Sequence, residues 1–297
     1  MKISISAATD IGHGRDNNED AFCVCSNLRK AKWRVKHTPG YIDLDSAGAI
    51  LVIADGMGGA NAGEVASAIA IDTVRKVFSP KEIRDIFRQT EVGRLVDDEQ
   101  ARYMLEKAIS QADDAINKRI IERPETAGMG TTIVVLWLTP ERAFVAWCGD
   151  SRCYVCDDYE LRPLTKDHSY VQELIDKGEL TYDEARNHPD SNIITRGLGD
   201  FPTKARPDFK SWTVRPGLSF LLCTDGLCGY CTNSFIEEYV IDTRLEPTEC
   251  TSILIQKALE KGSEDNICVA LATVLSDDDE NAKKQSRMRR ILNFFFK

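Results

Sequence analysis

Nowhere does the 297-residue sequence hold an apolar run near the ~20 residues that a membrane-spanning helix needs. Its opening, "MKISISAATDIGHGR", has no apolar segment behind a basic start, which argues against a signal peptide and for a cytoplasmic protein. Positive charge is short: 38 Lys and Arg face 47 Asp and Glu, and the net charge of −9 disfavours nucleic acid or an anionic membrane as partner. Histidine is scarce as well. His13, His37, His168 and His188 show no ligand spacing, which disfavours zinc or non-haem iron. Ser151 in "GDSR" lacks the Gly-x-Ser-x-Gly elbow of a serine hydrolase. "GMGGANAG" has Asn61 where a dinucleotide fingerprint starting at Gly56 needs its third glycine, and no P-loop Gly-Lys-Ser/Thr occurs. No repeat at a solenoid period is visible.

What remains is an ordinary globular composition, 42% hydrophobic and 29% charged. Ten cysteines in such a chain read as buried thiols. Two Cys-x-x-Cys pairs invite a zinc reading. Cys153 and Cys156 lie in a strand-like run, where positions three apart point to opposite faces. Cys228 and Cys231 have a glycine to bend at, but buried thiols are the preferred reading there too.

Ile50–Ala54 reads as a buried strand ending in Asp55. The segment after the turn is a helix, with Ala66, Ile69, Ala70, Thr73, Val74 and Val77 on one face. Residues 79–98 read as a short helix plus loop. From Glu99 a long amphipathic helix follows, its stripe marked by Leu105, Ala108, Ile109, Ala112, Ile116 and Ile120. "TTIVVLWL", "AFVAWC" and "RCYVC" read as an antiparallel meander, and "SWTVRPGLSFLLC" as a further hairpin. Short helices are expected in 167–188, then around Ser234–Val240 and Pro247–Lys261. "ICVALATVL" is a closing strand. This pattern argues for an α+β fold in one domain over residues 1–275. Residues 276–297, an acidic cluster followed by a basic and aromatic run, form a separate tail. Met288, Ile291, Leu292 and Phe295 would share one helical face there, as a self-docked helix or a contact for a partner or membrane surface.

Acids recur at strand ends. Asp55-Gly56 and Asp225-Gly226 each follow an apolar strand, Asp150 follows another, and Asp265 precedes the last. Glu19 and Asp20 enter a further apolar stretch, with Arg15 just before them. Each alone reads as a turn or cap. Together, without lysine partners, they call for cations, and an all-oxygen set suits Mg²⁺ or Mn²⁺. The glycines would let the backbone approach an ion. Arg15 is either a salt bridge to Glu19 or a fork that grips phosphate.

"TDIGHGRDNNEDAF", "ADGMGG", "AGMGTT", "GDSR", "LTKDHS", "NIITRGLG", "TDGL" and "SEDN" stand in the order seen in the PPM family of metal-dependent Ser/Thr protein phosphatases. The chain resembles the bacterial, protein phosphatase 2C-like branch over about Ser4 to Leu275. The resemblance implies an α-β-β-α sandwich: two antiparallel sheets, each flanked by a helix pair. It implies two Mn²⁺ or Mg²⁺ ions, with Asp55 bridging them, Asp225 and Asp265 on one, and Glu19 and the Gly56 carbonyl on the other. Asp20 would hold water bound to a metal, and Asp150 with Asp225 resembles a weaker third site. Arg15 would bind the substrate phosphate. The implied reaction is hydrolysis of phosphoserine or phosphothreonine in proteins by metal-activated water, opposing a cognate Ser/Thr kinase. The competing reading is a PPM-fold regulatory protein without catalysis. Met57 stands where many eukaryotic relatives have a histidine suited to protonating the leaving group. Leu164–Gly197 resembles the family's mobile flap; His168 lies within it and is not assigned as the acid.

Overall fold

The computed structural model describes residues 1–36, 40–58, 62–89, 96–157, 159–242 and 245–275. The proposed tail and His37 lie outside them. In chain order, β1 (Lys2–Asp10), β2 (Asp20–Cys25), β3 (Trp33–Arg34), β4 (Gly40–Asp43) and β5 (Ala49–Met57) precede α1 (Gly63–Val77), α2 (Pro80–Gln89) and α3 (Asp98–Glu122). Then come β6 (Gly130–Thr131), β7 (Ile133–Leu138), β8 (Arg142–Cys148), β9 (Arg152–Cys156) and β10 (Leu161–Pro163), followed by α4 (Tyr170–Asp176) and α5 (Tyr182–Arg186). The chain continues through β11 (Leu198–Gly199), β12 (Asp208–Thr213), β13 (Ser219–Cys223), α6 (Asp225–Cys228), α7 (Asn233–Ile241), α8 (Pro247–Glu260) and β14 (Ile267–Val274).

Two antiparallel sheets result. One runs β10-β9-β13-β14-β1-β4. The other runs β11-β6-β5-β7-β8-β12, with β2 on β5 and β3 on β2. Leu51, Ile53, Val134 and Val145 meet Ile5, Phe220, Leu222 and Ala270 between the sheets. On the far side of the second sheet, Ile50, Val52 and Ala54 pack against Ala66 and Val74 of α1 and Leu105 and Ile109 of α3. Ile50–Ala54 is therefore apolar at every position because both faces of β5 are buried. On the opposite flank, Tyr154, Leu221 and Val269 pack against Ile236 of α7 and Leu254 and Ile255 of α8. This is the four-layer α-β-β-α sandwich. Each fully buried aliphatic side chain adds roughly 1.5–3 kcal/mol.

Local signals set the helix ends. Asp97 caps α3 by accepting from the Gln100 N–H at 2.9 Å, with the Gln100 side chain returning the bond. Pro124 follows its last turn. No helix among the described residues is long and apolar enough to cross a membrane.

Two expected strand pairings are corrected. β7 and β8 do pair, but β9 leaves for the other sheet and pairs β10 and β13. β12 pairs β8, whereas β13 pairs β14 and β9, so Pro216-Gly217 turns a crossing between sheets, not a hairpin. Connection length and alternation are the same for a hairpin and for a short step across the sandwich, so neither could separate them. Cys153 faces the inter-sheet core and Cys156 the outer helical layer, the opposed directions that their spacing predicts.

Candidate metal centre

The step from β8 to β9 carries Asp150 to one end of the sandwich. Asp55 reaches the same end near the close of β5, and the β2–β5 register sets Asp20 directly across from it. Asp225 opens α6 immediately after β13, and Asp265 stands just before β14. Like charges directly opposite on paired strands are unfavourable, so the Asp20–Asp55 register has a local cost that the rest of the fold overrides.

The aspartates act on one another. Burial, then Asp20, Asp225, Asp150 and Asp265, pushes the Asp55 carboxyl well above the usual range. Burial likewise raises Asp20 and Asp150 well above ordinary aspartate, with Asp225 adding to both. Thr224 opposes the rise at Asp20 by donating to its Oδ2 at 2.8 Å. Asp225 is pushed up to about 6 by burial and by Asp265. Asp55 lies within hydrogen-bonding reach of both Asp20 and Asp225. Carboxylates that close need a shared proton or a cation between them. Glu19 is raised too, by burial first and then by Glu64.

Oxygens here want a positive partner. Oδ1 of Asp20, of Asp150 and of Asp225 are buried without a hydrogen-bond partner. A buried polar group left so costs about 1–3 kcal/mol, and more when charged. Among the described residues, no three His, Cys, Asp or Glu side chains close into a finished ligand cage. The donor set is oxygen only, which fits Mg²⁺ or Mn²⁺.

Backbone contacts hold the array in place. The Asp55 carbonyl accepts from the Thr132 N–H at 2.9 Å and the Thr131 hydroxyl at 2.8 Å, and the Asp55 N–H donates to Thr132 Oγ1 at 3.2 Å. Gly56 lets the chain pass closely: a Cβ there would lie 2.2 Å from the Gly63 carbonyl oxygen and 2.7 Å from that of Glu19. A Cβ at Gly226 would lie 2.0 Å from the Asn266 carbonyl oxygen. Both glycines following an aspartate thus admit neighbouring backbone.

Asn266 is the organiser that sequence reasoning passed over. Buried in the "SEDN" turn, it accepts from the Glu19 N–H at 2.7 Å and donates to the Ile11 and Asn17 carbonyls at 2.8 and 3.0 Å. It therefore fixes the loop that carries Arg15 and Glu19. Its only sequence signal is its place in that motif. Thr224, which links Asp20 to the Cys268 N–H at 2.8 Å, likewise had only its place in "TDGL".

Arg15 reaches into this end from its loop. Its Nη2 donates to Asp265 Oδ2 at 2.8 Å, and its side chain stays 49% exposed. The expected alternative partner, Glu19, acts on it only as a neighbouring charge. His168 is spoken for. Its Nδ1 accepts from the Gly149 N–H at 3.1 Å, its ring stacks on Trp147, and its Nε2 faces Asp208 at 3.3 Å. Burial and then Arg196 push its pKa down to about 4, so at neutral pH the ring is an uncharged strut.

The family model for protein phosphatase 2C matches residues 40–261. The chain belongs to the protein phosphatase 2C family. It is 33% identical to the serine/threonine phosphatase stp of Listeria monocytogenes over 267 residues, which cover 89% of this chain and 92% of that protein. The crystal structure of the Mycobacterium tuberculosis serine/threonine phosphatase PstP/Ppp superposes with a TM-score of 0.74 at 29% identity, covering 93% of this chain and all of that one. The PstP catalytic domain in complex with two manganese ions superposes at 0.69, also at 29% identity, covering 93% and 99%. The likeness to these serine/threonine phosphatase structures thus extends over nearly the whole chain.

Proposed function

We propose that this chain removes phosphate from phosphoserine and phosphothreonine in proteins, using two divalent ions at the carboxylate end of the sandwich. The observation that carries this reading is the set of buried, unpartnered oxygens on Asp20, Asp150 and Asp225 beside Asp55 and the Arg15 guanidinium. Asp55 would hold both ions. Asp225 and Asp265 would hold one, Glu19 and the Gly56 carbonyl the other, and Asp150 with Asp225 a weaker third. Asp20, steadied by Thr224, would orient groups around them. Bound there, Mn²⁺ or Mg²⁺ supplies the Lewis acidity that activates water and offsets charge on the phosphoryl group. Residues 1–275 act as the one catalytic domain, opposing a Ser/Thr kinase in the cytoplasm, with residues 276–297 as a separate tail.

Arg15 supplies the phosphate fork. Its half-exposed side chain, tethered to Asp265, would turn its guanidinium toward a phosphate oxygen when substrate enters. Arg15→Ala is expected to lower kcat/KM by about tenfold to a hundredfold, mostly through KM, which is the loss of roughly 1.5–3 kcal/mol from a charged hydrogen bond. Steady-state kinetics on a phosphothreonine peptide checks this, and an unchanged kcat/KM removes Arg15 from the site.

The function as a whole is tested on p-nitrophenyl phosphate and a phosphothreonine peptide. Turnover with Mn²⁺, lost in EDTA and regained on adding metal, is expected. Protein that binds Mn²⁺ by calorimetry yet turns over neither substrate would instead be the regulatory protein without catalysis.

A further inference from the structure

α6 is a single turn, and Asp225 is its first residue. A turn so short moves as a unit, so whatever holds its carbonyl end also aims the carboxylate at its start. That end carries orphan carbonyls and the negative pole of the turn. It is met by Arg186, the last residue of α5, more than forty positions away in sequence. The Arg186 Nη2 donates to the Cys228 carbonyl at 3.0 Å and the Cys231 carbonyl at 2.8 Å, with the Gly229 carbonyl at 3.5 Å. α5 is itself firmly started: Thr181 caps it and Glu184 returns the bond.

Further along the same arm, contacts reach the other aspartate turn. The His168 N–H donates to the Gly149 carbonyl at 3.0 Å, and Gly149 donates back to the ring. Arg152, just past Asp150, grips Asp167 through Nε and Nη2 at 2.9 and 2.7 Å. The stretch from Asp167 to Arg186 is thus tied to the Asp150 turn at its base and to the Asp225 turn at α5.

We propose that Arg186 is a positioning residue for metal binding: by capping α6 it holds Asp225 in place and couples the α4–α5 arm to the metal centre. The inference rests on the proposed binuclear site. Arg186 touches no reacting atom and acts through the α6 backbone. Its coupling is reciprocal, so metal on Asp225 tightens the arm as the arm tightens metal.

The test is Mn²⁺ titration calorimetry on the full chain as wild type, Arg186→Ala and Arg186→Lys, with hydrogen exchange read over residues 170–191 and 225–231 without and with Mn²⁺. Arg186→Ala is expected to weaken Mn²⁺ binding about tenfold, the usual scale for losing a group behind a ligand. It should also abolish the Mn²⁺-induced protection of 170–191. Arg186→Lys, which keeps a donor and a charge at that end, should recover part of both. Wild-type Mn²⁺ affinity in Arg186→Ala, or arm protection that ignores metal in the wild type, overturns the proposal while leaving the phosphatase reading intact. A wild-type chain that binds no Mn²⁺ overturns both.

Discussion

Asparagine in place of Asp55 is expected to cut kcat/KM on p-nitrophenyl phosphate by at least about a thousandfold while raising the melting temperature of the metal-free protein. The two effects have one cause. Asp55 is half-buried beside Asp20, Asp225, Asp150 and Asp265, and each of them raises its pKa. Asparagine keeps the shape and removes the charge, so the strand pairing with β2 and the backbone bonds to Thr131 and Thr132 persist. In the metal-free protein that relieves repulsion. In the loaded enzyme it takes away the residue proposed to bridge both ions, and a loss of roughly 4 kcal/mol of transition-state stabilisation corresponds to about a thousandfold. Asp225→Asn should behave alike. Kinetics in saturating Mn²⁺ and calorimetric melting in EDTA measure the two halves. A variant that retains full activity would refute the bridging role. One that loses activity and also melts lower would show that Asp55 holds the fold rather than a metal.

Legibility in the sequence divided along physical lines. Helices were readable because their signals are local: the stripe on α3 from Leu105 to Ile116 and the Pro247 start of α8 both depend on residues a turn apart. The aspartates stood out because an acid ending an apolar strand is locally anomalous. Sheet membership was not readable, since β8 to β9 and β12 to β13 step across the sandwich with the same spacing that a hairpin uses. That error had a consequence for the site, because the step is what places Asp150 beside Asp225. The supporting residues were hidden for a related reason. Asn266 reaches back some 250 positions to the Ile11 and Asn17 carbonyls, and Thr224 some 200 to Asp20. Such partnerships exist only once the sheets are assembled.

The metal-free protein should lose stability as pH rises from about 4 to 7, and Mn²⁺ should reverse the sign of that slope. Asp225 titrates near 6 in the folded chain against 3.8 unfolded. Between those values the folded state binds more protons, so stability falls with rising pH. The penalty is absent below the unfolded value and complete above the folded one. At roughly 1.4 kcal/mol per pKa unit this is on the order of 3 kcal/mol from Asp225, and Asp20, Asp55 and Asp150 shift the same way. His168 works against them. Its pKa is pushed from 6.5 down to about 4, so the unfolded chain binds more protons between those values and stability rises with pH. Asp157, Asp176 and Asp208, whose carboxyls are held below the usual range by hydrogen bonds and arginine or lysine neighbours, act in the same sense as His168. They are more exposed, and without metal the buried strand-end aspartates win. Divalent ions pair those carboxylates and remove their penalty, leaving the His168 slope exposed. Saturating metal adds stability besides, about 2.7 kcal/mol at a hundred times its dissociation constant, and more at pH 7 than at pH 4.5, where protons compete for the same oxygens. Melting curves in EDTA and in Mn²⁺ across pH 4.5 to 7.5 should therefore diverge as pH rises. Parallel curves would mean that the strand-end acids bind no ion, and the proposed metal centre would fail with them.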